Sequence, residues 1–98
     1  MEDADAVTET QLANKVTKAI RDRGHWCMKV AGGPHQQPGI PDILACVRGA
    51  LVAIELKVGR NKPTPLQIAT LGDMSEAGAV AGVAYTLDEA MDLIDRAT

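Results

Sequence analysis

Polar and apolar positions along this chain follow two periods, three-to-four and two, and the switches between them mark out seven elements. From Glu9 to about Arg23 the apolar residues Leu12, Val16, Ala19 and Ile20 recur at the spacing of one helix face. Thr8 with Gln11 three residues on reads as a capping box, and Gly24 as the stop. Trp26 to Val30 is a short strand. Ala31 to Gly39 (AGGPHQQPG) is too rich in Gly and Pro for a helix or a central strand. Asp42 to Val47 predicts a second strand, Arg48-Gly49 a tight turn, and Ala50 to Val58 a third strand apolar enough to lie in mid-sheet. Gly59 to Pro63 is a basic loop. Thr64-Pro65-Leu66-Gln67 is a second capping box with Pro at the first helical position, and its helix runs to about Ala77 before Gly78. Val80 to Tyr85 is a fourth strand. Thr86 to Glu89, a third capping box, opens a last helix with Leu87, Ala90, Met91 and Ile94 on one face. The order αβββαβα predicts an α/β layered fold.

At 98 residues the chain is read as one domain, residues 1–98, with Met1 to Val7 polar, acidic and expected to fray. One Trp, one Tyr and no Phe leave the core to Val, Ile, Leu, Ala and Met. Such a small core would gain from oligomerising. No apolar stretch approaches the length of a membrane span and the acidic start is unlike a signal peptide, so a cytoplasmic location is expected. Cys27 and Cys46, outside any CxxC pair, read as reduced core thiols, and Trp26 as a core residue.

The net charge of −3 looks wrong for a protein that binds nucleic acid, but its distribution alters the picture. Residues 1–9 hold four acids and no base. Residues 10–72 hold nine bases against three acids, and residues 73–98 six acids and one base. A basic middle between acidic ends suits a molecule with one anion-binding face, although ordinary solvated charge explains it equally well.

The three acids of that middle stretch include Asp42, which ends the loop, and Glu55 in the Glu55-Leu56-Lys57 triplet. If Arg48-Gly49 is a two-residue type I′ hairpin loop, Val47 pairs with Ala50 and Asp42 pairs with Glu55. Opposed residues share a face with Cβ atoms about 4.5–5.5 Å apart, and Lys57, two residues on, joins them. Two bare carboxylates at that separation repel by about 3 kcal/mol at an effective dielectric near 20. Positive charge is therefore expected between them, part from Lys57 and the rest from Mg²⁺ or Mn²⁺, which accept hard oxygen ligands. Asp42 and Glu55 are the expected metal ligands, joined by the backbone carbonyl of Leu56. Such an ion acidifies a bound water and draws charge from a phosphate oxygen, with Lys57 orienting the water or stabilising the developing charge. Glu9, on the stripe of the first helix, is a further candidate acid and ligand. A one-residue bulge would put Asp42 on the wrong face.

Taken alone, Asp42 could merely start a strand, and Glu55 with Lys57 could be an ion pair at a sheet edge. Together, in a strand apolar on both sides, they point to a site, because a central strand has little use for surface ion pairs. Gln67 is explained by its capping box as well as by a site role. Arg60 and Lys62 could bind phosphate or simply be solvated. His35, Gln36 and Gln37 are read as solvated loop polarity. The only Ser lies on a helix without an elbow motif, the glycine-rich loop lacks a phosphate-loop Lys, and His25, Cys27, His35 and Cys46 do not have zinc spacing.

Gly39-Ile40-Pro41-Asp42, Glu55-Leu56-Lys57 and Thr64-Pro65-Leu66-Gln67, in that order, resemble the PD-(D/E)xK nuclease superfamily and, more narrowly, its VRR-NUC domains. The resemblance covers roughly residues 8 to 85. It implies an αβββαβ core with a mixed central sheet flanked by helices, to which this chain adds a C-terminal helix. It also implies metal-dependent endonuclease activity on branched DNA. Small stand-alone members are typical of phages and bacteria and look like Holliday-junction resolvases, which act as homodimers. In the family pattern Glu9 matches the first-helix Glu and Gln67 the helix Gln. The Val-Arg-Arg of the family's name is absent, Val47-Arg48-Gly49 being the nearest stretch. Two other readings stand beside the nuclease. One is a non-catalytic DNA-binding module or partner subunit. The other, a sequence-specific restriction-type enzyme, is disfavoured by the small surface left to read bases.

Overall fold

A computed structural model describes residues 7–30 and 37–98. The expected fraying of residues 1–6, and the loop positions of His35 and Gln36, lie outside the described residues.

Seven elements follow one another in the predicted order: α1 (Glu9–Asp22), β1 (Trp26–Lys29), β2 (Ile43–Val47), β3 (Ala50–Leu56), α2 (Pro65–Glu76), β4 (Val80–Ala84) and α3 (Leu87–Arg96). Each strand is a residue or two shorter than its apolar run. Asp42 stands just ahead of β2 and Lys57 just past β3. Both keep a ladder bond all the same: Val30 N–H donates to the Asp42 carbonyl (2.8 Å) and Lys57 N–H to the Ala84 carbonyl (3.1 Å).

The first two capping boxes close as their residues dictate. The Thr8 and Thr64 hydroxyls accept from the Gln11 and Gln67 N–H groups, and the glutamine side chains accept from the threonine N–H groups in return. The third is only half a box. The Thr86 hydroxyl accepts from Glu89 N–H (3.1 Å), but the Glu89 carboxylate reaches one residue further back and accepts from Tyr85 N–H (2.7 Å).

The sheet is mixed, in the order β1-β2-β3-β4, antiparallel across the first two junctions and parallel across the third, so the apolar β3 is interior as expected. Arg48 (φ 51°) and Gly49 (φ 87°) both occupy the left-handed region, as a type I′ turn requires. The β2–β3 register follows from it, Val47 opposite Ala50 through Ile43 opposite Ile54.

Alternation along the strands divides the sheet into two faces. Cys27, Ile43, Ala45, Val47, Val52, Ile54 and Leu56 turn toward α1 and α3, forming one core with Val16, Ile20, Leu93 and Ile94. The opposite face receives α2, which packs on β3 and β4 and buries only Leu71 of its own. That helix is too narrow to cover the β1–β2 half.

Two sequence expectations fail there. Trp26 is 57% exposed rather than a core residue, and Cys46 is exposed while Cys27 is buried. The cause is topological: Trp26 and Cys46 pair with each other on β1 and β2, the half of that face that α2 leaves bare. No helix among the described residues is long and apolar enough to cross a membrane.

Candidate functional site

Continuing the β2–β3 pairing one step beyond Ile43 and Ile54 sets Asp42 opposite Glu55. Asp42 is held there by its own side chain, whose Oδ2 accepts from the Leu56 N–H (2.8 Å). The preceding Gly39 takes φ 85°, and a Cβ on it would lie 2.9 Å from both Leu66 Cγ and Thr70 Oγ1. The Gly-x-Pro-Asp segment thus fits against α2 only because its first residue has no side chain.

Glu55 is the unusual member of the group. It is 2% exposed, on an otherwise apolar strand. Its Oε2 lies 3.6 Å from Lys57 Nζ, an ion pair too long for a hydrogen bond. Its Oε1 is buried with no hydrogen-bond partner. Burial, and then the neighbouring Asp42 carboxylate, push its pKa from 4.5 up to about 7, with Lys57 opposing both. A buried carboxylate oxygen without a partner costs on the order of 1–3 kcal/mol or more, so the site as built by the protein alone is short of positive charge.

On the other side of Asp42 a cleft of about 180 Å³ is lined by Glu9, Thr10, Ala13, Lys29, Val30, Asp42 and Leu56. The helix stripe that includes Glu9 therefore brings a third carboxylate to the cleft wall. Glu55 and Lys57 meet each other behind Asp42 and Leu56, and Gln67 sits apart from the cleft, its Oε1 engaged by Thr64 N–H (2.8 Å). Among the described residues no group of three or more His, Cys, Asp or Glu side chains comes together to hold a metal ion. The residues nevertheless fit a divalent cation in kind. Two adjacent carboxylates carry one orphaned oxygen between them, which matches hard-oxygen ligation.

Arg60 and Lys62 are exposed on the loop between β3 and α2. That loop is tied down by the Tyr85 hydroxyl, which donates to the Asn61 carbonyl (2.7 Å). The sequence reading missed both Tyr85 and Lys29. Lys29 closes β1 opposite Ile43, one step from Asp42, and its Nζ donates to Asn14 Oδ1 (2.8 Å) across the cleft wall. Its place depends on the β1–β2 register, which the long loop between those strands hides from any reading of the sequence.

Comparison with known proteins supports the fold. No family model and no curated protein matches the sequence. Among solved structures, one described as a VRR_NUC domain is similar to this chain with a TM-score of 0.74 at 22% identity, over 89% of this chain and 94% of the other. A VRR_NUC domain protein has a TM-score of 0.75 at 19% identity, over 93% and 88%. Archaeoglobus fulgidus Hjc, a Holliday junction resolvase, has a TM-score of 0.62 at 23% identity, over 79% and 67%. The chain has the nuclease-like fold of VRR_NUC domains and of this resolvase, an α/β fold with a four-stranded mixed sheet.

Proposed function

We propose that this protein is a metal-dependent, structure-selective DNA endonuclease that hydrolyses phosphodiester bonds at branched DNA such as Holliday junctions, working as a homodimer. The observation that carries the reading is the buried, partnerless Oε1 of Glu55 beside Asp42 and Lys57. A strand interior does not keep such a group for stability.

In this reading Asp42 and Glu55, with the Leu56 carbonyl and Glu9, hold Mg²⁺ or Mn²⁺. In an extended strand the carbonyl of Leu56 points to the same side as its N–H, which already meets Asp42. Bound there, the ion supplies Lewis acidity toward a phosphate oxygen and an acidified water. The chain's own residues do the rest. Lys57 opposes the rise in the Glu55 pKa and places a positive charge where negative charge develops on the phosphate. Arg60 and Lys62, on the loop pinned by Tyr85, bind flanking phosphates, and Lys29 offers a further cation at the cleft. Gln67, in the first turn of α2, joins them once its side chain leaves the Thr64 cap. The similarity in fold to Hjc, a Holliday junction resolvase, favours branched DNA over plain duplex.

The test is incubation with labelled four-way junction, flap, duplex and single strand, with and without Mg²⁺ or Mn²⁺. Nicking of the junction that needs the ion is expected, and Asp42→Ala or Lys57→Ala should lower it by at least about 100-fold with the fold retained. Full activity in either variant would falsify the site assignment. A second reading, a DNA-binding module without catalysis, draws on the absence of a three-ligand cluster among the described residues. Junction binding indifferent to EDTA, with no cleavage under either ion, would select it.

A further inference from the structure

Over the two strands that α2 does not cover, Trp26 pairs with Cys46 and Met28 with Leu44. Their strand neighbours Cys27, Ile43, Ala45 and Val47 belong to the core on the other side, so these four side chains turn to the α2 side of the sheet. Trp26 is 57% and Met28 41% exposed. This bare half meets the near flank of α2 to form a trough. Leu66, Thr70, Asp73 and Ala77 recur along that flank at the spacing of one helix face. Its direction is fixed at both ends. Leu66 and Thr70 stand over Gly39, which leads into β2, and Met74 and Ala77 face Leu51 across a groove of about 310 Å³. Leu66 is itself 50% exposed.

We infer that this trough is the seat of one amphipathic helix, about three turns long, from a partner protein that is not a copy of this chain. Its apolar stripe covers Trp26 and Met28, and a lysine or arginine on its flank meets Asp73. The inference stands apart from the nuclease reading.

Shape selects a helix. Two bare strands about 4.8 Å apart give a floor about 10 Å wide, the diameter of one helix. The five residues of β2 span about 17 Å, which three helical turns match. A sheet or a broad protein face is held off by α2, which stands up from the adjoining strands.

Charge selects the flank of that helix. The last turn of α2 contains no base, although the helix dipole is negative there, and it holds Asp73 and Glu76. Among the described residues neither forms an ion pair. A cation beside Asp73, with its methylene stem in the Leu51–Met74 groove, relieves that end of α2. The same carboxylates repel phosphate, so nucleic acid is the wrong occupant.

A second copy has no such helix to offer among its described residues. α1 turns Lys15, Lys18 and Asp22 outward and α3 turns Asp88, Asp92 and Asp95 outward, all of them exposed. On α2 the exposed Leu66 and Ile68 are two residues apart and so lie on opposite sides. Area sets the strength. The large apolar side chains of the trough leave on the order of 400 Å² uncovered. With the matching surface of the helix, the contact stays below about 1,200 Å², the range of transient association.

The test is a selection against the full chain from a display library of side-chain-bridged, three-turn helical peptides, randomised but without tryptophan. Enriched peptides should share an apolar i, i+4, i+7 stripe flanked by lysine or arginine. One of them, made synthetically, should shift the emission of Trp26, the chain's single tryptophan, to the blue with a micromolar Kd. Cys46→Glu should abolish binding and Asp73→Lys should weaken it about tenfold, both with an unchanged circular dichroism spectrum. Should Cys46→Glu lose that spectrum, Met28→Glu carries the same test. No enrichment, enriched peptides without a base, or binding that Cys46→Glu or Asp73→Lys leaves unchanged overturns the inference. So does Trp26 emission that shifts to the blue with protein concentration alone, which gives the face to a second copy. Nicking is read separately. A protein that nicks but binds no helix overturns this inference alone, and one that binds the helix but never nicks overturns the endonuclease reading alone.

Discussion

Glu55 and Trp26 stand on the same face of one sheet and are exchanged in character. The carboxylate is 2% exposed and the indole 57% exposed. A single copy with nothing bound gains from neither arrangement, since charge prefers water and a large apolar ring prefers cover. The difference between them lies in what is missing. At Glu55 it is positive charge, because Lys57 stands 3.6 Å away and Oε1 has no partner. At Trp26 it is apolar surface, because α2 covers only β3 and β4. A deficit of charge calls for a small cation, whereas a deficit of apolar cover leaves only a ring in water, which is why the first region alone reads as chemistry.

The widest consequence of this contrast is in pH. Glu55 is raised from 4.5 to about 7, so between those values the folded chain holds a proton that the unfolded chain has released. Stability therefore falls as pH rises through this window, and the penalty is fully present above pH 7. It amounts to about 3 kcal/mol as an upper bound. Thermal melts of the metal-free protein should show that slope, Glu55→Gln should remove it, and added Mg²⁺ or Mn²⁺ should restore wild-type stability at pH 8. A wild-type slope identical to that of Glu55→Gln would remove the buried charge from one side of the comparison.

A smaller effect tests how the site is joined to α2. Gly39→Ala adds a Cβ at φ 85° and 2.9 Å from Leu66 and Thr70. A loss of about 1–3 kcal/mol in urea unfolding is expected, together with slower nicking as Asp42 shifts. An unchanged unfolding midpoint would show that the loop has freedom the geometry denies it.

The smallest concerns Gln67. Thr64→Ala and Gln67→Ala each break the same capping box and should each cost about 1 kcal/mol. Nicking separates the two roles, with Gln67→Ala slower than Thr64→Ala at equal stability if Gln67 acts at the site. Equal rates would leave it a cap only.

Much of this was legible in the chain itself, because it depends on local physics. The caps at Thr8 and Thr64 are bonds between residues three apart. The Arg48-Gly49 turn sets the β2–β3 register within two residues, and that register carries Asp42 to Glu55 without any knowledge of the rest of the fold. The position of β3 in mid-sheet follows from an apolar run on both of its faces. What the tertiary structure alone decided depends on contacts far apart in sequence. Lys29 reaches the cleft through a pairing across a long loop, whose length leaves the register free. Tyr85 meets Asn61 only because the parallel β4 lies beside β3. Trp26 and Cys46 looked like core because they are apolar in type. Their exposure was settled by the width of α2 against that of the sheet, a matter of which half of a face one helix can cover, and no periodicity along the chain encodes it.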